Sequence, residues 1–436
     1  MTLPPPPGAA VRTRYPRRGR GSQRRRRLRS LGLALFLVVA GAVLGWALPR
    51  WEGHLPDAEL DFDASTAQAT LAAIAGGMIT LAGFIITAIT LVIQTVQSMS
   101  PRLVAALGHF SRYLVLFGLL IGTALYALVA LSDVRGDNVP RTSVTLAVCL
   151  VLIDAVTVLL LIGALRHAVT GGGLARSVGD RLRVVIEETS PTAPPVTAVP
   201  GLAPPVGDST VPVPYGGGPA ILQAVKEPRL ARLAARHDLR VRLPHAVGDF
   251  VGTGTVVARV EGAGDRPVSA RLVRRVAACL RYGPGRTVEQ DPGYGLRLLA
   301  DIAVRALSPA VNDPTTAVQA LDQIEDGLLR FAGRPLGPAW LLDRADRPRV
   351  LCPASDWPGL VSLALDETLL YGAGNPQAAR RLHALLDRVL AVAPAERHAP
   401  LLERRDALRR LTAAALPDPL LNEVAGRSDH QGLGGK

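Results

Sequence analysis

The chain of 436 residues carries a net charge of +13, and 48% of its residues are hydrophobic while only 4% are aromatic. This length accommodates about two or three domains, and the apolar residues are gathered in blocks near the N-terminus, as membrane spans require. The three cysteines lie far apart, which argues against a disulfide framework or a cysteine-based zinc site. They are Cys149, Cys279 and Cys352.

Nearly all of the positive charge is arginine, because Lys226 and Lys436 are the only lysines. We interpret this as the coding bias of a GC-rich genome. Ten arginines lie between residues 12 and 29 with no acid among them, and subtracting them leaves +3 for the rest of the chain. A basic run before a membrane span usually keeps the tail in the cytoplasm. Binding of anionic lipid headgroups is the second interpretation, and nucleic acid is not expected, since only Tyr15 is available there for stacking on bases.

Four segments are apolar and long enough to cross a bilayer, which takes roughly 20 residues. They cover residues 31–48, 71–94, 113–131 and 144–165. The loop after the first segment is acidic, whereas the loop after the second carries arginine and no acid. The segment after the fourth carries Arg166, Arg176, Arg181 and Arg183. Because basic loops stay in the cytoplasm, we expect a multi-pass membrane protein with both termini cytoplasmic.

Small and polar residues form a stripe along the second span, at alternating steps of four and three that place them on one helix face. This pattern is typical of close helix packing, within a subunit or between the subunits of a homo-oligomer. The alternative is a polar pore lined by several copies. The stripe consists of Gly76, Thr80, Gly83, Thr87, Thr90, Gln94 and Gln97.

Asp154 lies near the middle of the fourth span. A carboxylate at this depth is costly unless it is paired, protonated or hydrated, so it is a candidate functional residue by default. Thr87, Thr123 and Tyr126 are the available hydrogen-bond partners. The alternative is a protonated, hydrogen-bonded side chain with a structural role. Together with Thr80, Thr87, Thr90 and Gln94, Asp154 forms the candidate intramembrane polar site.

The predicted fold class is mainly α, with a four-helix transmembrane bundle followed by a cytoplasmic α+β domain that contains a small β-unit and a helical bundle. Residues 1–30 are predicted to be a basic, disordered tail, and residues 31–167 the transmembrane domain. Residues 168–219 form a juxtamembrane segment and a linker whose proline density excludes a regular helix. The cytoplasmic domain covers residues 220–424, and residues 425–436 form a disordered tail.

Within the cytoplasmic domain, strand signals precede helix signals. Residues 221–225 and 239–243 are apolar or alternate in polarity, and glycine-rich turns follow the second of these segments. Residues 268–282 are predicted to form one helix with Leu272, Val276 and Leu280 on a single face. Several further helices then complete a helical bundle.

The stretch "ALSPAVNDPTTAVQALDQI" from residue 306 to residue 324 combines helix-ending and helix-starting residues. Asp313 suits an N-cap and Pro314 the first helical position, while Asn312 tolerates a tight turn. The simplest interpretation is a corner between two helices. The alternative is an anion site at the helix N-terminus, formed by Arg286, Asn312, Asp313 and Thr315.

Several runs of residues resemble a known family. They are "MSPRL" after the second span, "GDFVGTGT", "RTVEQDP" and "DIAVRALSPAVNDPTTAVQALDQI". In this order they resemble the bacterial predicted membrane proteins known as domain of unknown function 2254. The resemblance implies a multi-pass protein of the bacterial cytoplasmic membrane with a soluble C-terminal part, and it implies no established activity.

Enzyme motifs are absent from the sequence: it contains no phosphate loop, no zinc-protease motif and no dinucleotide fingerprint after a strand. The sequence does not identify a cofactor. The leading hypothesis is a non-enzymatic, membrane-anchored domain that senses or docks at the inner face. An oligomeric channel or transporter lined by the second span is the alternative, and a membrane-proximal enzyme comes third.

The predicted orientation can be tested with topology reporters. We expect reporters fused after Arg29 and after Arg183 to report a cytoplasmic location, and a reporter inserted near Asp57 to report an external one, because arginine-rich flanks are retained inside. An external signal from the fusion after Arg183 would reject the orientation.

Overall fold

The computed structural model describes residues 22–51, 62–99, 110–134, 140–169, 171–190, 210–262, 268–343, 345 and 347–434. Half of the arginines of the N-terminal run lie outside these residues. So do most of the acidic loop, the "MSPRL" segment beyond Met99 and most of the proline-rich linker. The structure divides into two compact units, and the boundary between them falls after Gly173. Each unit is described by itself.

The membrane unit contains four long apolar helices, which confirms the predicted spans. They are α1 (Ser22–Trp51), α2 (Ala64–Met99), α3 (Phe110–Leu131) and α4 (Arg141–Val169). Half of the apolar stretch of α3 is buried, whereas the other three helices leave most of theirs exposed. Because α1, α2 and α4 all pack against it, α3 is the central helix of this unit.

Glycines bring α1 and α3 into close contact. A Cβ atom on Gly118 would lie 2.6 Å from the Ala34 Cα, and one on Gly122 would lie 2.7 Å from the Leu37 carbonyl oxygen. On α1, Gly45 leaves the same small clearance, 2.6 Å from the Tyr126 carbonyl oxygen. Both helices carry a G-x-x-x-G spacing, which allows close backbone approach in membranes. Our sequence analysis missed this signal.

The second unit contains nine helices among its described residues. They are α5 (Gly171–Thr189), α6 (Glu227–Arg236), α7 (Ala270–Ala277), α8 (Pro292–Ala306), α9 (Pro314–Ala332), α10 (Trp357–Gly372), α11 (Pro376–Val392), α12 (His398–Ala415) and α13 (Pro419–Gly426). Five of them, α8, α9, α10, α11 and α13, begin with proline or with proline at the second position after an Asp or Asn cap. This agrees with the helix-start signals of the sequence.

Two sheets form the β part. The strands are β1 (Val211–Pro214), β2 (Ala220–Val225), β3 (Arg240–Arg242), β4 (Phe250–Val251), β5 (Val256–Glu261), β6 (Leu280–Gly283), β7 (Ala339–Leu342) and β8 (Pro348–Cys352). One sheet has the order β1-β5-β3-β8-β7 and the other the order β4-β2-β6. All pairs are antiparallel except β3 with β8, which is parallel.

The β part differs from the sequence prediction in three places. The helix predicted over residues 268–282 ends at Ala277, because Leu280 begins β6 and pairs with Val225. The linker contains a strand, since Val211 pairs with Val260. The hairpin of β7 and β8 was not predicted, and it joins the sheet only through β3.

The termini of the predicted domains also differ from expectation. Helix α1 already begins at Ser22, inside the predicted disordered tail. At the other end, the stretch after α13 folds back on α11, where the Arg380 guanidinium donates to the Gly432 carbonyl oxygen at 2.8 Å. A paired arginine therefore orders residues that composition alone marked as disordered.

Helix α5 belongs to the core of the second unit. Its apolar face consists of Leu174, Ala175, Val178, Leu182, Val185 and Ile186, which are all fully buried. Leu182 packs between two glycines, because Cβ atoms on Gly295 of α8 and Gly327 of α9 would lie 2.9 and 3.0 Å from its methyl carbons. The juxtamembrane segment is therefore part of the helical bundle.

The contact between α1 and α3 generates a prediction with a matched control. Gly122→Leu should destabilise the membrane unit by about 1–3 kcal/mol, since the added bulk has no space. Gly76→Leu on α2 should be tolerated, because nothing lies within 4 Å of a Cβ at that position. Thermal unfolding of both full-length variants in detergent measures the difference. Equal melting temperatures would contradict the packing of α1 on α3.

Candidate functional site

The "RTVEQDP" segment connects the smaller sheet to the helical bundle. Asp291 caps α8, accepting a hydrogen bond from the Tyr294 backbone N–H at 2.9 Å. Its other carboxylate oxygen accepts from the Arg286 guanidinium at 2.6 Å. Asp291 is almost fully buried; burial raises the pKa of its carboxyl group, and the nearby Arg286 opposes that shift. The ion pair therefore offsets the cost of burying this cap.

The glycine turn of "GDFVGTGT" lies directly against this ion pair. Gly248 has a φ of +104°, and a Cβ atom there would lie 2.8 Å from Arg286 Nε. Its backbone N–H donates to the Leu222 carbonyl oxygen at 2.8 Å. Glycine is needed at this position both for the left-handed conformation and for the close approach.

The middle residues of the segment also have structural partners. The Gln290 side chain accepts from the Val225 N–H at 2.8 Å and donates to the Val225 carbonyl oxygen at 3.3 Å, in place of a neighbouring strand. Glu289 lies 3.4 Å from Arg181 on α5. The segment thus fastens β2, α5 and α8 to one another, which explains its polar residues without a ligand.

The stretch at residues 306–324 forms the corner between α8 and α9. Asp313 accepts from the Thr316 backbone N–H at 3.0 Å and from the Thr316 hydroxyl. Asn312 adopts a left-handed φ of +47°, and the Asp313 N–H donates to the Ala306 carbonyl oxygen at 2.7 Å. Thr315 is exposed.

The structure does not join Arg286 to this corner. Its guanidinium pairs with Asp291 and lies over the Tyr294 ring, 5.1 Å from the centroid. Among the described residues no hydrogen bond or ion pair links it to Asn312 or Asp313. A ligand site at the corner remains a prediction, and the observed contacts are those of a cap.

The intramembrane candidates lie on different surfaces. The stripe residues Thr80, Thr87, Thr90 and Gln94 are exposed on α2, and each of the three threonine hydroxyls donates to the carbonyl oxygen four residues earlier. The opposite face of α2 packs inward through Leu71, Ala75, Met78, Ala82 and Ile85. Within the described residues, these four stripe side chains therefore face away from the packed core of this unit.

Asp154, in contrast, is fully buried on α4. Within the described residues neither of its carboxylate oxygens has a well-formed hydrogen bond, and the hydroxyl of Thr123 has none either. Thr123 on α3 nevertheless lies near the Asp154 carboxyl group, within reach of a weak side-chain interaction. Tyr126 is engaged elsewhere, since its hydroxyl donates to the Ser143 carbonyl oxygen at 2.9 Å. Thr123 is thus the predicted partner that the structure brings near Asp154.

Arginines serve a role that the sequence analysis assigned to coding bias. Arg397 donates to the carbonyl oxygens of Phe331, Ala332 and Arg334 at the end of α9, at 2.6 to 2.8 Å. Arg334 donates to the Ile186 carbonyl oxygen at the end of α5 at 3.0 Å. Both satisfy helix carbonyls that lack partners and complement the helix dipole. Both arginines lie far in sequence from the carbonyl groups that they bind, so local sequence patterns carried no signal for these contacts.

Helices α11 and α12 enclose a second group of buried polar residues. Arg381 lies 2.8 Å from Asp322 and 2.7 Å from Glu325, both on α9. The imidazole of His383 is buried, and burial lowers its pKa, assisted by Arg405 and Arg409 and opposed by Asp387. In the described part of the chain no group of three or more His, Cys, Asp or Glu residues is arranged to hold a metal ion.

The cap at the corner separates a structural role from a ligand-binding one. Asp313→Ala should cost about 0.5–2 kcal/mol of stability, whereas Asp313→Ser and Asp313→Asn should be nearly silent, because both side chains also cap. Melting temperatures of the full-length variants in detergent measure this. If phosphate-bearing compounds stabilised the wild type but not Asp313→Asn, the cap would also be a ligand site.

His383 predicts a pH dependence. In the unfolded chain the imidazole of His383 takes up a proton near pH 6.5, whereas in the folded protein the buried imidazole is protonated only at lower pH. Stability should therefore be complete above about pH 6.5 and fall as the pH decreases toward the lower folded-state pKa, by at most about 1.4 kcal/mol per pH unit. The His383→Gln variant should lose this slope below about pH 6.5. Unfolding at several pH values measures both, and identical slopes would contradict the assignment.

The chain matches the family of predicted membrane proteins called DUF2254 over residues 28–388. It is 27% identical over 388 residues to uncharacterized proteins of Mycobacterium bovis (Mb1321c) and Mycobacterium tuberculosis (Rv1290c), covering 84% of this chain and 71% of each relative. No solved structure matches. The match covers the four spans and most of the helices of the second unit, including the "RTVEQDP" segment and the α8–α9 corner. The chain is therefore a member of the DUF2254 family of predicted membrane proteins.

Proposed function

We propose that this protein is a non-enzymatic, membrane-anchored module whose cytoplasmic domain senses or docks at the inner face of the membrane, with α5 as the coupling element. One observation carries the proposal. Helix α5 follows the fourth span after a single intervening residue, and its apolar face lies in the core of the second unit.

The contacts of α5 are suited to transmitting a displacement. Leu182 fills the space over Gly295 and Gly327, so α5 cannot shift without moving α8 and α9. Arg183 lies 3.0 Å from Asp326 on α9. A second bridge joins Glu187 to Arg330 on α9 at 3.1 Å. Packed interfaces of this kind move as rigid elements and do not deform continuously.

The charge distribution supports a cytoplasmic location for this unit. The acidic loop after α1 and the arginines flanking α1, α2 and α4 favour cytoplasmic termini. We retain the proposed division into a membrane domain and a cytoplasmic domain. We extend the latter to include α5 and β1, because a fragment beginning at residue 220 would lack both.

Hydrogen exchange of the full-length protein in lipid nanodiscs tests the coupling. We expect the exchange of α8 and α9 to change when bilayer thickness or the anionic lipid fraction is varied. Leu182→Ala should weaken protection there and remove the dependence on lipid. Val184→Ala, on the exposed face of the same helix, is the matched control and should behave as wild type. A sensing role would be rejected if the hydrogen exchange of α8 and α9 in the wild type did not change with bilayer thickness or lipid charge.

A homo-oligomeric channel is the second candidate, and the exposed stripe on α2 favours it. Gly76 and Gly83 have open space around them, so the stripe is available to a second copy, and small residues with hydroxyl groups are typical of membrane helix interfaces. A ring of such stripes would line a polar path in which Gln94 faces the ions.

Size measurement in detergent and conductance in reconstituted bilayers separate these roles. If the stripe holds copies together, Gly83→Leu should produce a smaller species. Gly163→Leu, on an equally open part of α4, should not. If the stripe lines a pore, Gln94→Leu should alter conductance with assembly intact. A monomeric wild type without conductance would eliminate the channel.

A further inference from the structure

One end of the helical bundle in the second unit exposes an apolar surface, which we call the apolar end. Its central part is the loop between α8 and α9, where Pro309, Ala310 and Val311 are exposed. The adjoining helix ends contribute larger side chains. The most exposed of the apolar residues are Val311 at 45%, Leu370 at 63%, Tyr371 at 48%, Leu420 at 67% and Leu421 at 46%.

These residues come from three helix ends that lie together. A Cβ atom on Gly372, the last residue of α10, would lie 3.7 Å from Leu307 at the end of α8. One on Gly374 would lie 3.5 Å from Ala415 at the end of α12. Helices α8, α10 and α12 therefore all end at the apolar end, and α13 begins there. A helix corner accounts for Asn312 and Asp313, but it does not require exposed apolar residues around them.

The direction of α5 shows where the chain enters this unit. Arg183 pairs with Asp326, and Arg330 with Glu187, in each case 143 residues apart. Further along both helices, the Arg334 guanidinium donates to the Ser190 carbonyl oxygen, at a separation of 144 residues. A constant separation means that α5 and α9 run parallel and in register. The start of α5 therefore lies beside the start of α9.

The two observations meet at the corner. By the same separation, Leu174 lies level with Val318, roughly one helical turn from Pro314, the first residue of α9. The chain toward the fourth membrane span thus leaves this unit at the apolar end. Because the chain is held in a bilayer by its spans, the surface at this end is the one presented to that bilayer at high effective concentration.

We propose that the apolar end docks into the boundary between headgroups and acyl chains of the bilayer that holds the four spans. The apolar side chains carry this proposal, because the charges at this end are mixed. Arg305 is exposed beside the loop, and the Asp313 and Asp418 carboxylates cap helices, the latter accepting from the Leu421 N–H at 3.0 Å. Tyr371 has the amphipathic ring that favours such boundaries. Exposed apolar side chains bind at this depth of a bilayer. This inference does not depend on coupling through α5.

Lipid-attached quenchers test the proposal in the full-length protein. An environment-sensitive fluorophore is placed at Val311→Cys or Leu370→Cys in a background without the native cysteines, with one copy per nanodisc. Val392→Cys is the matched control, since it is apolar and 53% exposed. It lies at the other end of α11, roughly 24 Å from where that helix begins beside Gly372. A nitroxide on the lipid acyl chain is the quencher.

We expect about twofold quenching at positions 311 and 370 and little at 392, because a docked tip lies ~5–10 Å inside the boundary region. Leu370→Asp combined with Leu420→Asp should abolish quenching at position 311. Both side chains are exposed, so the melting temperature should not change. Replacing anionic with zwitterionic lipid should leave most of the quenching in place, because the contact is apolar.

Two results would overturn the proposal. Equal quenching at positions 311 and 392 would show that the apolar end does not contact lipid. The other result is a fluorophore that is shielded only in nanodiscs with two copies and is not quenched by the lipid. It would assign the surface to contact between copies. Either result leaves the exchange experiment on α5 unaffected, so the two proposals fail separately.

Discussion

The packing of Leu182 between Gly295 and Gly327 is the contact on which the second unit depends. It makes the helix that continues from the last span an internal element of the bundle. A Cβ atom at either position would require Leu182 to shift, because it would lie 2.9 or 3.0 Å from a methyl carbon of that side chain. Among the described residues α5 makes three ion pairs with other elements, and all three end on α9 or in the "RTVEQDP" segment. The helix that follows the last span is therefore held in the bundle by packing and by ion pairs.

The polar residues of the "RTVEQDP" segment and of the α8–α9 corner form connections within the fold. Arg286 and Asp291 form an ion pair beside Gly248, and Gln290 hydrogen-bonds to Val225 where β2 has no neighbouring strand. At the corner, Asp313 caps α9 and Asn312 makes the tight turn that precedes it. The contact of Gln290 with Val225 connects elements that are distant in sequence, whereas the corner joins two consecutive helices. The corner positions the apolar end, and the "RTVEQDP" segment helps to fix the register of α5.

The local features of the structure could be predicted from the sequence. The spans follow from uninterrupted apolar length, and the starts of α8 and α9 from Asp-Pro at the N-cap. The features that depend on distant partners could not. Leu280 continues a helical pattern but is drawn into a strand by β2, and the β7–β8 hairpin has no partner within its own neighbourhood. At the candidate sites, the cap role of Asp313 was predicted, while the pairing of Arg286 depended on a turn about forty residues earlier.

The parallel pairing of β3 with β8 has a consequence for biosynthesis. Val241 is paired with Val350, so the middle of the larger sheet is completed only after the α8–α9 hairpin has been translated. Until then β3 carries an unpaired edge, and open strand edges are where nascent chains associate with one another. A message truncated before β8 would therefore yield a chain that is anchored in the membrane but prone to aggregate, and quality-control proteases would meet it at the membrane surface.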